Sequence, residues 1–253
     1  MIEIRPSDLI KLETLSKFIV GGDSGARLRE LKDLQFLREE LTIEGLGNVG
    51  EVGDAREAAL NAKTGLTSLI LGWGQDEGPA SGRDAESQMQ ILDCLQPHAS
   101  IKNIEIDGYG GEQSISTALQ ADAANNSEVV NAKTGLTSLI LGWGQDEGPA
   151  SGRDAESQMQ ILDCLQPHAS IKNIEIDGYG GTKLSSWIGG LSFVHLERLR
   201  LCNCRKTEML PSLGVLPQLK ELEVERMDAI CAVGPEFYGN TAKPFPALET
   251  AFY

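Results

Sequence analysis

Apolar residues recur along this chain in a pattern written L-x-x-L-x-L, in which the first, fourth and sixth positions are apolar. Residues 66–71 and 101–106 show it clearly. The pattern starts nine times, at residues 15, 38, 66, 101, 136, 171, 196, 219 and 248, with Arg38 in place of one first apolar residue and a poor, clipped last unit. Because side chains alternate along a strand, the fourth and sixth residues point to one side and their neighbours to the other. Each start therefore predicts a short strand with one buried edge.

A single strand of this kind cannot bury its apolar edge alone, whereas stacked coils can. The predicted strands centre near residues 17–20, 41–44, 69–72, 104–107, 139–142, 174–177, 199–202 and 222–225. We predict that all of them are parallel in one curved sheet on the concave side of an α/β solenoid. Short helices and loops would cover its convex side, and residues 1–253 would form one domain.

Residues 61–111 and 131–181 are identical and displaced by 70 positions. Within this region the starts are 35 residues apart, so the duplicated length holds two coils and keeps the solenoid in phase. The joining segment, residues 112–130, is polar and weakly patterned. We expect an irregular seam there, which opens before the strands in 196–224 do.

Between strands, the chain has to return over the convex side. In the first copy, residues 74–82 have the composition of a loop, and Asp84 follows as a candidate helix N-cap. The helix would end at Pro97, and its inward residues would be Met89, Ile91, Leu92 and Leu95. Trp73 and Trp143 continue the inward alternation of their strands, which predicts core positions rather than ligand platforms.

Composition narrows the class of protein. Only 5% of the residues are aromatic although 41% are hydrophobic, so the core must consist mainly of Leu and Ile. No run of about 18 apolar residues occurs, so no membrane span is predicted, and the N-terminus lacks the features of a signal peptide. The five cysteines are an odd number, which favours free thiols in the cytoplasm. The net charge of −15 disfavours nucleic acid and anionic lipid as partners.

Candidate catalytic and metal-binding chemistry is sparse. Residues 22–25 read Gly-Asp-Ser-Gly, as in the nucleophile loop of trypsin-like proteases, but they follow a strand and are predicted to form a turn. No phosphate-binding G-x-x-x-x-G-K-[ST] loop is present, and Cys202 and Cys204 have no second pair or histidine cluster to complete a zinc site. We therefore predict no enzyme activity, no cofactor and no metal.

The starts match the leucine-rich repeat, whose units run roughly 20–29 residues. Cys204 stands where such a repeat carries Asn or Cys. The chain further resembles the leucine-rich-repeat region of plant coiled-coil nucleotide-binding disease-resistance proteins (NLRs) of the resistance-gene-analogue type. The matching segments are 12–21, 28–34, 41–49, 179–182 with Trp187, 210–219, 234–239 and 244–249. In that family a signalling domain and a nucleotide-binding switch precede the repeats, and neither is carried over to this sequence.

The resemblance implies a protein–protein interaction module, namely the sensor or autoinhibitory repeat region of an intracellular plant immune receptor. Its partner would be a protein, either a pathogen effector or the nucleotide-binding domain of a receptor. Two alternatives stay open: a truncated, non-signalling fragment of such a receptor gene, and a stand-alone leucine-rich-repeat inhibitor.

The strand alternation also predicts a binding face, an acidic stripe broken by one basic rung. We expect it to dock a basic protein surface, with Arg198 and Arg200 setting the register. The candidate partner-binding residues are Glu40, Thr42, Glu44, Asn103, Glu105, Asp107, Asn173, Glu175, Asp177, Arg198, Arg200, Glu221, Glu223 and Glu225.

Overall fold

A computed structural model describes residues 10–22, 25–73, 90–92, 94–108, 135–143 and 155–252. Nine parallel strands form one sheet, and each strand pairs with the next one in the sequence. They are β1 (Lys17–Ile19), β2 (Arg38–Glu44), β3 (Gly65–Gly72), β4 (Asn103–Asp107), β5 (Ser138–Gly142), β6 (Asn173–Asp177), β7 (Arg198–Cys202), β8 (Glu221–Glu225) and β9 (Thr250–Phe252). Every predicted strand position overlaps one of β1 to β8, and the last start of the pattern gives β9. The predicted leucine-rich-repeat solenoid is confirmed.

Short helices lie in several of the connections between strands. The α-helices are α1 (Val52–Glu57), α2 (Ala155–Cys164) and α3 (Pro235–Tyr238), and residues 90–92 and 94–95 are also helical. The 3-10 helices are Leu28–Asp33, Leu46–Asn48, Leu60–Ala62 and Ser186–Gly189. Within the described ranges, no helix is long and apolar enough to cross a membrane.

On the strands, the core contains two ladders of aliphatic side chains, because the strands pair without offset from β3 to β8 and place equivalent residues side by side. One ladder contains Leu41, Leu69, Ile104, Leu139, Ile174, Leu199 and Leu222. The other contains Ile43, Leu71, Ile106, Leu141, Ile176, Leu201 and Val224. All of these side chains are buried. Each coil therefore covers the apolar edge of its neighbour, which is how a repeat array gains its stability.

The predicted return helix is present in both copies as far as the structure describes them. In the first copy Ile91, Leu92 and Leu95 are buried, and in the second copy α2 buries Ile161 and Leu162. Both predicted core tryptophans are confirmed, since the exposed fraction is 5% for Trp73 and 2% for Trp143. Five of the sequence predictions fall outside the described residues: the loop at 74–82, the Asp84 cap, the Met89 contact, the seam at 112–130, and Asp23-Ser24 in the predicted turn.

Lys63 is a buried charged residue that the sequence did not point to. Its side chain is 1% exposed, and its Nζ donates hydrogen bonds to the carbonyl oxygens of Leu31 at 2.7 Å and Leu34 at 2.9 Å. The Leu31 carbonyl lies near the end of the 3-10 helix Leu28–Asp33, where it also accepts a hydrogen bond from Leu34 N at 3.0 Å, and Leu34 is the residue that follows the helix. Burial lowers the pKa of Lys63 to about 8, and Asp33 opposes this shift. The lysine thus joins one coil to the coil before it.

Candidate functional site on the outward face of the sheet

The outward side chains of the strands lie in three rows that run across the sheet. The first row contains Glu40, Ser68, Asn103, Ser138, Asn173, Arg198, Glu221 and Thr250. The middle row contains Lys17, Thr42, Ile70, Glu105, Ile140, Glu175, Arg200, Glu223 and Phe252. The third row contains Ile19, Glu44, Gly72, Asp107, Gly142, Asp177, Cys202 and Glu225. Each predicted partner-binding residue lies in one of these rows, so the structure brings all of them onto one face.

Uncharged side chains interrupt the acidic stripe at β3 and β5. The predicted binding residues, most of which are charged, do not include them. β3 contributes Ser68, Ile70 and Gly72 to the three rows, and β5 contributes the identical set Ser138, Ile140 and Gly142. In the middle row, apolar and acidic side chains therefore alternate from β3 to β6. The same alternation rule, applied to every strand rather than to the charged ones alone, would have identified these residues.

The two arginines of the basic rung, Arg198 and Arg200, form ion pairs with glutamates of the neighbouring strands. Arg200 lies between two glutamates, with its Nη1 at 2.6 Å from Glu175 Oε1 and its Nε at 2.8 Å from Glu223 Oε1. Arg198 contacts both carboxylate oxygens of Glu221, at 2.6 and 3.0 Å. These hydrogen bonds raise the pKa of both guanidinium groups. A partner that used either arginine to set its register would have to replace these pairs.

Glu105 and Glu175 occupy identical pentapeptides, Asn-Ile-Glu-Ile-Asp, but differ in their surroundings. Glu175 has Ile140 on one side and Arg200 on the other, whereas Glu105 has isoleucine on both sides. Within the described part of the chain, Glu105 forms no ion pair. Burial raises its pKa, and the neighbouring carboxylates of Asp107, Glu175 and Glu40 raise it further.

Paired and unpaired carboxylates are distributed unevenly across the strands of this face. Near the C-terminal edge of the sheet, Asp177 accepts a hydrogen bond from Asn203 Nδ2 at 2.5 Å, and Glu197 pairs with Lys172 at 3.3 Å and Lys220 at 2.8 Å. Toward β1, Lys17 pairs with Glu44 at 2.5 Å. Five carboxylates in the three rows have no ion-pair partner among the described residues: Glu40, Glu105 and Asp107 lie on β2 and β4, and the others are Asp177 on β6 and Glu225 on β8.

One cluster on this face has the residue types of a metal site. The ligand atoms of Cys202, Glu223 and Glu225 lie within 4.8 Å of one another. However, Glu223 already pairs with Arg200, and burial raises the pKa of Cys202 to about 11, so that the thiol keeps its proton at neutral pH. Both properties make these atoms less available as metal ligands.

Comparisons with known proteins agree with the sheet architecture. A family model described as R13L1/DRL21 LRRs matches residues 28–126 and 116–227. A candidate disease resistance protein of Arabidopsis thaliana, At3g14460, is 26% identical over 242 residues, which cover 94% of this chain and 12% of that protein. Disease resistance protein RGA2 of Solanum bulbocastanum is 36% identical over 100 residues, or 40% of this chain and 10% of that protein. The chain thus spans a small part of the relatives that it matches.

Among solved structures, the leucine-rich repeat domain of the type III effector XopL is similar in shape. The two chains superpose with a TM-score of 0.45 at 14% sequence identity, over 94% of this chain and 76% of that one. Our assignment of the fold rests on the pairing of the nine strands themselves.

Proposed function

This chain belongs to the R13L1/DRL21 family of leucine-rich repeats, and we propose that it serves as a protein–protein interaction module of an intracellular plant immune receptor, in a sensor or autoinhibitory role. The observation that carries the proposal is the open outward face of the parallel sheet. From β2 to β8, one side of each strand is buried in the aliphatic ladders, while the other side presents three rows of mostly polar and charged side chains. Large, shallow surfaces of this kind suit a protein partner better than a small molecule.

We further propose that the partner presents a basic surface. The net charge of the chain is −15, and five carboxylates of the outward face, three of them clustered on β2 and β4, lack an ion-pair partner among the described residues. Such a field speeds the encounter with a positively charged protein and disfavours acidic ones. Two partners suggested by the family resemblance are a pathogen effector and the nucleotide-binding domain of the receptor.

A cytoplasmic location is part of the same proposal. The four cysteines that the structure characterises are free thiols: Cys94, Cys202, Cys204 and Cys231. Cys204 is fully buried in the core, and burial raises its pKa to about 12, which keeps the thiol unreactive. Free thiols of this kind are typical of a reducing compartment.

The test is a binding assay with the nucleotide-binding domain of a plant coiled-coil NLR. We expect the full 253-residue chain to bind it at low salt and to release it as salt rises, because exposed charges are screened. A variant with Glu40→Lys, Glu105→Lys and Asp107→Lys should lose most of this binding.

The matched control reverses Glu221, Glu223 and Glu225 instead. Two of these glutamates are already paired with arginine on β7, so their loss should weaken binding less than the loss of the unpaired carboxylates does. If both triple variants bound like the wild type at low salt, the outward face would be a solvated surface and the proposal would fail.

A further inference from the structure

We propose that β2 to β5 present a docking site for a basic amphipathic helix of the partner protein, which lies across the strands. Apolar residues of the helix would contact Ile70 and Ile140, and a Lys or Arg between them would pair with Glu105. This inference deepens the proposed function, on which it rests, by naming the part of the face that binds and the element that it binds.

The sizes of the outward side chains on β3 and β5 support two apolar contact points. On β3, Ile70 stands between Ser68 and Gly72, so it is the one large outward side chain of its strand among the three rows. On β5, Ile140 stands between Ser138 and Gly142 in the same way. Both isoleucines are partly exposed. The small residues on either side leave room for a helix to approach them.

The carboxylates around Glu105 indicate that a cationic side chain of the helix would lie between Ile70 and Ile140. Glu105 is the middle-row residue between the two isoleucines, and the charged groups that face it are the carboxylates of Glu40, Asp107 and Glu175. Bringing a cation to this position would relieve the repulsion among them. Further along the sheet, Arg200 already fills that role beside Glu175.

The spacing of the contact points specifies a helix rather than an extended segment. Adjacent strands lie about 4.8 Å apart, so Ile70 and Ile140 are separated by two steps, or about 9.6 Å. Seven residues of α-helix rise about 10.5 Å, and residues i, i+3 or i+4, and i+7 share one face. In an extended chain, residues on the same side are about 6.7 Å apart, so their spacing does not match the separation of about 9.6 Å between the two isoleucines.

The probe is a synthetic alanine-rich helix of about 20 residues, with Leu at i and i+7 and Arg at i+3 and i+4. A control peptide of equal composition places the arginines on the opposite face. We expect the first peptide to bind the full chain and the control to bind about tenfold more weakly. Equal binding of both peptides would show attraction by charge alone and would overturn the proposal. So would preferential binding of a proline-containing peptide that cannot form a helix.

The duplication supplies a matched pair of variants. Glu105→Gln and Glu175→Gln change the same residue in the same pentapeptide, but only Glu105 is free of an arginine partner. Glu105→Gln should weaken binding of the probe about fivefold at low salt, and Glu175→Gln less than twofold. Equal effects would contradict the site, and Ile140→Ser should weaken binding with both glutamates intact.

Deletion of residues 71–140 gives an independent test. Because the copies are identical, the deletion removes two coils in frame and creates no new local sequence. The shortened face keeps the Glu175–Arg200 pair but lacks the Glu105 rung, so a folded deletion variant should lose binding of the probe. Retained binding would overturn the proposal, and the point variants decide it if this variant does not fold. Loss of the peptide interaction with retained binding of the nucleotide-binding domain would refute the helix site and leave the proposed function standing.

Discussion

Replacing Lys63 with methionine should change the stability of the protein in a manner that depends on pH. The pKa of this lysine is lowered to about 8 in the folded protein, against an ordinary value of 10.5. The unfolded chain therefore binds more protons between these two values, and the free energy of unfolding of the wild type rises with pH across that window. Below it, Lys63 is charged in both states, and the full cost of burying its charge, about 3 kcal/mol, is present.

The magnitude at neutral pH follows from two opposing effects. The substitution removes hydrogen bonds from a charged donor to the carbonyls of Leu31 and Leu34, each worth about 1.5–3 kcal/mol, and leaves both acceptors buried. It also removes the cost of burying the ammonium group. We expect a net destabilisation of about 1–2 kcal/mol near pH 7. By about pH 10 the difference from the wild type should have grown by about 2.5 kcal/mol, because the wild-type amine has lost its charge.

The assay is urea unfolding followed by tryptophan fluorescence at several pH values, for the wild type and for Lys63→Met. Other groups that titrate at alkaline pH contribute equally to both proteins and cancel in the difference. The matched control is Lys102→Met, an exposed lysine of the same duplicated segment (61–111), whose loss should change stability by less than about 0.5 kcal/mol. If the curves for wild type and Lys63→Met ran parallel from pH 7 to 10.5, the burial of Lys63 and its pKa would have to be reconsidered.

Three further predictions concern the sheet, one of its turns and the helix α1. Arg200→Ala should leave both of its carboxylate partners unpaired and lower stability by about 0.5–1 kcal/mol, measured by urea unfolding, with the loss shrinking in high salt; a salt-independent loss would point to packing instead. Gly178→Ala should destabilise by more than about 1 kcal/mol, because φ is +71° and the added Cβ would lie 2.2 Å from Trp143 O. Gly53→Ala in α1, where the added Cβ meets nothing within 4 Å, should instead stabilise by about 0.5–1 kcal/mol, and thermal unfolding separates these outcomes.

The strands were predictable because a repeat array is nearly one-dimensional. Each start of the L-x-x-L-x-L pattern defines a strand with one apolar edge, and the next coil along the chain is the nearest surface that can cover it. Order and parallel direction follow from that condition, as the pairing of β3 with β4 and β4 with β5 shows. The outward candidates could be placed on one face for the same reason.

Contacts between distant side chains were not predictable in this way. Lys63 resembles a surface lysine in the sequence, and its burial depends on two carbonyls that lie 29 and 32 residues earlier in the chain. Likewise, the sequence shows Arg198 and Arg200 as an exposed basic rung. Their pairing with glutamates depends on the register between β7 and its neighbours, which places opposite charges side by side.

The duplicated pentapeptide separates the two kinds of information. The sequence by itself determined that residues 103–107 and 173–177 form strands, that their isoleucines face the core and that Glu105 and Glu175 face outward, because alternation is a local property of the chain. The tertiary structure decided the electrostatic state of the two glutamates, since each responds to the strand beside it. β7 offers Arg200 to Glu175, whereas β5 offers Ile140 to Glu105. An electrostatic environment depends on the groups that lie within a few ångströms, so the two identical pentapeptides have different charged neighbours.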